Sequence, residues 1–346
     1  MSGSLLHVLA PGLLGPLPAQ AAADVRLDGP GAAPAELLLS RARRPTPVSG
    51  GLSQRLVQLL DDKGRVAVGP ARALGDGLHP GRHVVFCADP VHLVPDRDQL
   101  RIMSPGPVSL SPADRRSLQQ DVQGYFADEG FTLQLQATGG WYLFCDPERA
   151  PQLDTVPLEQ ALGTSLRDGL PDGPDAAHWI RHLNAIQMLL HASPLNVSRQ
   201  AAGLSPVNGI WLWGGGALPA NGVRNRFNAV FSHDALARGL AAASGIPCEP
   251  PETWHGSAAV DRTAGQVLLQ TEALVPVTDG ESFARWQHQA GSWCDRWAPV
   301  LLQLLRRRSF ARICLESEGR RFLLGPHSLR AFWRRPRPFR HWLVAA

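Results

Sequence analysis

Residues 179–216 read WIRHLNAIQMLLHASPLNVSRQAAGLSPVNGIWLWGGG, and this stretch decides how the rest of the chain is read. Trp179, Leu183, Ile186, Leu189 and Leu190 recur at helical spacing, which predicts an amphipathic helix with one buried face. Pro194 keeps the residue before it out of the α conformation and donates no hydrogen bond, so the helix ends near Ser193. A second, shorter helix is expected from about Asn196 to Ala202, with Gly203 as its cap. The run Ile210-Trp211-Leu212-Trp213 then suits a buried strand that empties into Gly214, Gly215 and Gly216. In an open α/β sheet, ligands collect at the carboxyl ends of strands, and successive glycines let backbone N–H groups approach an anion. His191, Asn196, Ser198, Arg199 and Asn208 are the polar side chains this stretch offers to such a ligand. The competing reading makes Asn196 a helix cap, Asn208 a turn residue and the glycines a tight turn.

At 346 residues the chain exceeds one average domain, and 44% hydrophobic residues supply ample core. With 18% charged residues it is globular rather than disordered. Lys63 is the sole lysine, so the positive charge is almost wholly arginine; the net charge of +4 is modest and much of the excess lies in the last forty residues, which argues against a general nucleic-acid coat. Cys87, Cys145, Cys248, Cys294 and Cys314 are odd in number and lack CxxC spacing, which indicates neither a disulfide framework nor a structural zinc site. A reducing, cytoplasmic compartment is expected. The N-terminal apolar run lacks a basic leader and is broken by His7, Pro11, Gly12, Gly15, Pro16 and Pro18, so neither a signal peptide nor a membrane span is expected.

Outward from the central stretch, Leu5–Leu9 reads as a buried strand, Leu52–Leu60 as a helix and His83–Ala88 as a strand. Asp89, His92, Asp96 and Asp98 follow that strand on an apparent loop with two prolines; they are the candidate ligands for a divalent metal, or else turn formers and salt-bridge partners. Ser111 to Tyr125 reads as a helix with Ser111 as N-cap and Asp114 in its first turn. Phe131–Gln136 and Trp141–Cys145 read as a hairpin about Thr138-Gly139-Gly140. Further on come a helix over 234–244, a strand over 267–271, a long helix within 281–307 and a strand over 311–315. Trp286, Trp293 and Trp297 on the long helix read as core. The tail from Arg330 to Arg340 interleaves arginine with Phe332, Trp333 and Phe339, a pattern that can grip nucleic acid but more often closes over the protein's own surface.

His191, Pro194, Asn196, Arg199, Gly203, Pro206, Asn208 and the terminal glycines resemble the HPVNxxRxxxGxPPANxxxxRGxG signature of the archaeal-type, cofactor-independent phosphoglycerate mutases. GPARALGDGLHPGRHVVFCADPVHL, residues 69–93, resembles that family's entry into its inserted domain, and LARGLAAASGI, residues 236–246, resembles its LxKGIxxxxGM segment with Arg238 in the lysine's place. Over the whole chain the similarity is greatest to a bacterial branch, the RpfE-type regulatory proteins. The resemblance implies an alkaline-phosphatase-like α/β domain built from residues 1–69 and 166–346 around a central sheet, with an inserted α+β subdomain over 70–165 and a basic aromatic tail over 330–346.

The same resemblance implies two divalent metals and a phosphoryl-carrying serine, and the positions that should supply them differ. Leu9 and Ala10 lead to Pro11-Gly12 where the family has Asp-Gly, and only Ser49 and Ser53 lie near the place of the nucleophile. Gln270-Thr271-Glu272-Ala273-Leu274-Val275 stands where the family has His-x-Glu-Ala-x-Asp, and no Asp-His pair follows Leu315. Trp213 and Cys87 replace two arginines. Two-metal phosphoryl transfer fails when ligands are lost from several strands. The expectation is therefore a catalytically degenerate, cytoplasmic regulatory or ligand-binding protein without a metal cofactor. It would hold a small anion, such as a phosphate, at His191, Asn196, Arg199, Asn208 and Gly214 to Gly216. The alternative is an active Mn²⁺- or Zn²⁺-dependent mutase or phosphatase rebuilt from Asp89, His92, Asp96 and Asp98, with His233 and Asp234 as further candidates. No membrane contact is expected, nucleic acid is the least favoured partner, and no protein partner is indicated.

Overall fold

The computed structural model describes residues 4–97, 99–104, 112–126, 129–136, 139–191, 193–254 and 265–345. Asp98, Ser111 and Thr138 of the sequence reading lie outside them. The strands, in chain order, are β1 (Leu5–Leu9), β2 (Thr46–Pro47), β3 (Val84–Asp96), β4 (Gln99–Met103), β5 (Phe131–Leu135), β6 (Trp141–Cys145), β7 (Gly209–Gly216), β8 (Ala229–Phe231), β9 (Cys248–Glu249), β10 (Gln266–Gln270), β11 (Arg312–Ser317) and β12 (Arg320–Leu324). The chain is mixed α/β and divides into two compact units, one of Met1–Gly50, Arg226–Asp234 and Ile246–Ala346, the other of Gly51–Asn225 and Ala235–Gly245.

The first unit is a central sheet in the order β2-β12-β11-β1-β10-β8-β9. β1 lies between β11 and β10, parallel to both, and β8 and β9 continue the parallel set. β12 returns antiparallel through the two-residue turn Glu318-Gly319, both at positive φ, the geometry that matches the twist of a hairpin. Leu6, Val8, Val267, Leu269, Ile313 and Leu315 alternate onto one face and share a core with the helices Ala32–Arg41 and Gly280–Arg307. The longer helix starts in an Asp279/Ser282 capping box. It buries Trp286, Trp293, Trp297, Leu301 and Leu305 in that core. The carboxyl-terminal segment docks on the same unit: Phe339 is buried in the core, the Phe339 N–H donates to Glu36 and the Arg337 N–H to Ser40. Phe332 and Trp333 stand exposed.

The second unit holds an antiparallel sheet in which β7 and β6 both pair with β3, β5 pairs with β6, and β4 pairs with the far end of β3. Helices Pro112–Phe126 and Ala176–His191 cover one side, with Trp179, Ile186, Leu190, Phe126 and Leu133 in one core. Ser193 caps the following helix, Pro194–Ala201, by accepting from the Leu195 N–H.

Three sequence expectations are corrected here. Ile210 to Trp213 belongs to the antiparallel sheet beside β3, not to a parallel sheet, and Gly214 to Gly216 continue the strand instead of forming a loop at its end. The segment from Asp89 to Asp96 is strand, not loop. The helices Leu52–Leu60 and Val68–Gly75, together with residues 166–225, group with the expected insertion, because Val68–Gly75 packs on both β3 and the Ala235–Ala243 helix while β7 zips onto β3. Among the described residues no helix is long and apolar enough to cross a membrane.

Candidate functional site

The residues expected to hold an anion are placed in the second unit, and most of their polar atoms are engaged by its own backbone. Asn196, 3% exposed, donates from Nδ2 to the carbonyls of Leu190 (2.6 Å) and Val207 (2.7 Å), and its Oδ1 accepts from the Val207 N–H at 2.7 Å. It splices the end of the Ala176–His191 helix to the approach of β7. Asn208 does the same between strands, accepting from the Leu93 N–H (2.6 Å) and donating to the Leu93 carbonyl (2.9 Å). Arg199 is buried, donates from Nε to the Ser205 carbonyl at 2.8 Å, and has its pKa lowered by that burial. His191 is exposed. Gly214, at φ +67, sits where the register of β7 on β3 shifts, the position a bulge gives to glycine. A Cβ on Gly215 would lie 2.0 Å from the Phe86 ring.

The expected metal alternative disperses likewise. Asp89 is buried, receives Arg72 Nη1 on both oxygens at 2.8 Å and accepts from Trp213 Nε1 at 2.7 Å. Burial opposes the Arg72 charge, but the Asp89 carboxylate, with Cys87 and Tyr142 beside it, raises the Arg72 pKa on balance. Beside them, burial pushes the Cys87 thiol up to about 12. Asp96 pairs with Arg101 at 2.6 Å. Asp89, His92 and Asp96 form no cluster of metal-ligating atoms among the described residues, and Asp98 lies outside them. The block 69–93 and the block 236–246 meet instead as scaffold: Arg238 donates to the Gly75 carbonyl and to Asp76, and a Cβ on Gly239 would lie 1.6 Å from the Ala71 carbonyl oxygen.

The chemistry-bearing edge is at the carboxyl ends of β8, β9, β10, β1 and β11 in the first unit, and the chain there is closed on itself. After β1, Gly12 donates to Glu318 Oε1 at 2.6 Å and its carbonyl accepts Trp286 Nε1 at 2.7 Å. After β10, Thr271 Oγ1 accepts Trp293 Nε1 at 3.0 Å. Ser317 Oγ accepts the Leu14 N–H, and Ser232 donates to Gln270 at 2.8 Å. Ser232, Gln270, Thr271 and Ser317 are all buried. Burial raises the Glu318 pKa despite the Gly12 hydrogen bond. A pair of catalytic metals does not fit this edge: β1 delivers no carboxylate, and the Gly12 carbonyl and Thr271 Oγ1 are taken by the Trp286 and Trp293 indoles.

What this edge leaves open is a pocket of about 220 Å³ beside the long helix, lined by Glu252, Glu272, His288, Trp293, Arg296 and Trp297 among others. Glu252 Oε2 lies 2.8 Å from His233 Nε2, and ligand atoms of His233, Glu252 and Glu272 fall within 4.8 Å of one another. Burial opposes ionisation of Glu252, yet its backbone hydrogen bond, His233 and Arg296 together hold its carboxyl below the usual range. Arg296 lies 4.7 Å over the Trp297 ring. Glu272 was legible in sequence as the residue just past a strand candidate, and His233 as the residue just before a helix candidate. Glu252, His288 and Arg296 were not, since the first follows a two-residue strand and the others read as the polar face of a helix.

The fold is thus mixed α/β with a central sheet whose carboxyl edge is engaged by the chain's own side chains. Among relatives, the chain is 29% identical over 182 residues to a probable 2,3-bisphosphoglycerate-independent phosphoglycerate mutase of Geobacter sulfurreducens, covering 51% of this chain and 45% of that protein. It is 34% identical over 94 residues to the 2,3-bisphosphoglycerate-independent phosphoglycerate mutase of Methanothrix thermoacetophila, covering 26% and 24%. The chain therefore aligns with less than half the length of these curated relatives, which support the resemblance carried by its central motif. Two solved structures superpose on it. The cofactor-independent phosphoglycerate mutase of Thermoplasma acidophilum does so with TM-score 0.46 and 18% identity over 94% of this chain and 90% of that one. A protein of Pyrococcus horikoshii does so with TM-score 0.48 and 15% identity over 94% and 87%. No protein-family model matches the chain.

Proposed function

We propose that this chain is a catalytically degenerate phosphoglycerate-mutase-like protein that acts by binding, in the manner of the RpfE-type regulatory proteins, in the cytoplasm. The observation that carries the reading is the closed strand edge, where Trp286 and Trp293 donate to the Gly12 carbonyl and to Thr271 in place of any ligand. The motif residues that carry the resemblance, Asn196, Asn208 and Arg238, serve the scaffold. That accounts for their retention in a chain without the mutase's metal ligands. The ligand is a small molecule with an anionic group for Arg296 and a hydrogen-bond-donating group for Glu252 and Glu272 in the open pocket. Interconversion of 3- and 2-phosphoglycerate in added Mn²⁺ tests this: the expected result is no turnover above background, and turnover abolished by Glu272→Gln overturns it.

The second reading, a metal-dependent enzyme rebuilt on this edge, is favoured by one observation, the convergence of His233, Glu252 and Glu272. An imidazole and two carboxylates would hold one divalent ion as a Lewis acid. The assay above separates the two readings.

A further inference from the structure

The second unit carries a cluster that none of these readings uses. His178 and His182 are four apart on the Ala176–His191 helix, so both imidazoles stand on one face. Their Nε2 atoms are 2.9 Å apart with the rings perpendicular. Glu129, which follows the Pro112–Phe126 helix and is fixed by its N–H to the Phe126 carbonyl, brings a carboxylate oxygen so that all three ligand atoms lie within 4.8 Å of one another. We propose that His178, His182 and Glu129 form a binding site for one divalent cation of the zinc class.

The donor set sorts the cation. Two neutral imidazoles and a carboxylate suit Zn²⁺, Co²⁺ or Ni²⁺ over Mg²⁺ or Ca²⁺, which prefer all-oxygen shells, and three protein ligands leave a fourth position for water. Two imidazole nitrogens at about 2.0–2.1 Å from a tetrahedral ion stand about 3.3 Å apart. The present 2.9 Å therefore opens by some tenths of an ångström, which rotation of the exposed His178 supplies.

The surroundings prepare His182 in particular. Its Nδ1 lies 3.0 Å from Tyr125 Oη; with the proton on Nδ1 donated to that oxygen, the Nε2 lone pair faces the cluster, the outer hydrogen bond that metal-ligating histidines usually have. Phe126, Phe131 and Trp179 pack around the ring. Burial, followed by the neighbouring His178, lowers the His182 pKa. Without metal the same groups close a hydrogen-bond chain, Arg181 to His178 Nδ1 at 3.1 Å, then His178 to His182 and His182 to Tyr125. Binding moves the His178 proton from Nε2 to Nδ1 and gives up the exposed Arg181 contact together with the His178–His182 hydrogen bond, the latter replaced by nitrogen–metal bonds. The site lies in the unit that does not contain the strand-edge pocket, and it stands or falls independently of the proposed function.

Zn²⁺ titration of the metal-stripped full chain by calorimetry, with Co²⁺ absorption as a second readout, tests the proposal. The expected result is one saturable equivalent with an intense tetrahedral Co²⁺ band, affinity falling at least about tenfold in His178→Ala and in Glu129→Gln, and no change from that equivalent in His233→Ala. His178 is exposed, so its variant keeps the fold, which far-ultraviolet circular dichroism checks. Absence of saturable binding at neutral pH, or binding that survives both substitutions, overturns the site; loss in His233→Ala alone assigns the metal to the strand edge instead.

Discussion

Replacing Asn196 by alanine separates scaffold from ligand site. The substitution removes three hydrogen bonds in a buried place: Val207 loses the acceptor of its N–H, and the carbonyls of Leu190 and Val207 each lose a donor. The Leu190 carbonyl keeps the Ser193 N–H at 3.1 Å. An orphaned buried N–H costs about 1–3 kcal/mol and each of the two weakened carbonyls about 0.5–1.5 kcal/mol, so the second unit loses about 2–6 kcal/mol. Equilibrium urea unfolding followed by tryptophan fluorescence measures the loss, and because the chain has two units its transition is fitted without assuming a single step. Hydrogen exchange localises it: amides at the end of the Ala176–His191 helix and at the start of β7 lose protection. A change below about 1 kcal/mol with unaltered exchange would refute the structural assignment and return Asn196 to the ligand site.

Gly215→Ala places a methyl against the buried Phe86 ring and is expected to destabilise the same unit by about 1–3 kcal/mol, whereas a phosphate-binding glycine loop open to solvent would tolerate the change in urea unfolding. Glu318→Gln is expected to stabilise the chain at neutral pH: burial raises the folded carboxyl's pKa above its unfolded value, so the native state binds the extra proton and wild-type stability falls as pH rises through that window. Thermal unfolding from pH 4 to pH 8 should show the variant's advantage grow with pH and vanish at the acid end.

How much was readable before the structure depends on where a residue's hydrogen bonds go. The helix over 52–60 and the strand over 5–9 follow from apolar spacing alone and are found as read. The long β3 escaped because Asp89-Pro90 reads as a break. Yet between Ala88 and Val91 this strand has only β7 beside it, and from His92 only β4, so prolines 90 and 95 sit where one side of the strand needs no donor. The glycines after Trp213 were legible as special but not in kind, since the demand on Gly214, Gly215 and Gly216 comes from Val68, Phe86 and Ala67 respectively, all more than a hundred residues away. The signature asparagines gave a site from residue type, whereas their partners, Val207 and Leu93, are set by pairing that spacing does not encode. His178 and His182 were in plain view as an i, i+4 pair. Glu129 joins them only through tertiary packing.

The most direct measurement is 3- to 2-phosphoglycerate interconversion by the purified full chain in Mn²⁺, run beside Trp293→Ala and Glu272→Gln. All three proteins are expected at background, because no carboxylate leaves β1 and the edge is closed by indole hydrogen bonds. Turnover by the wild-type chain that Glu272→Gln abolishes would contradict it and establish a rebuilt metal enzyme.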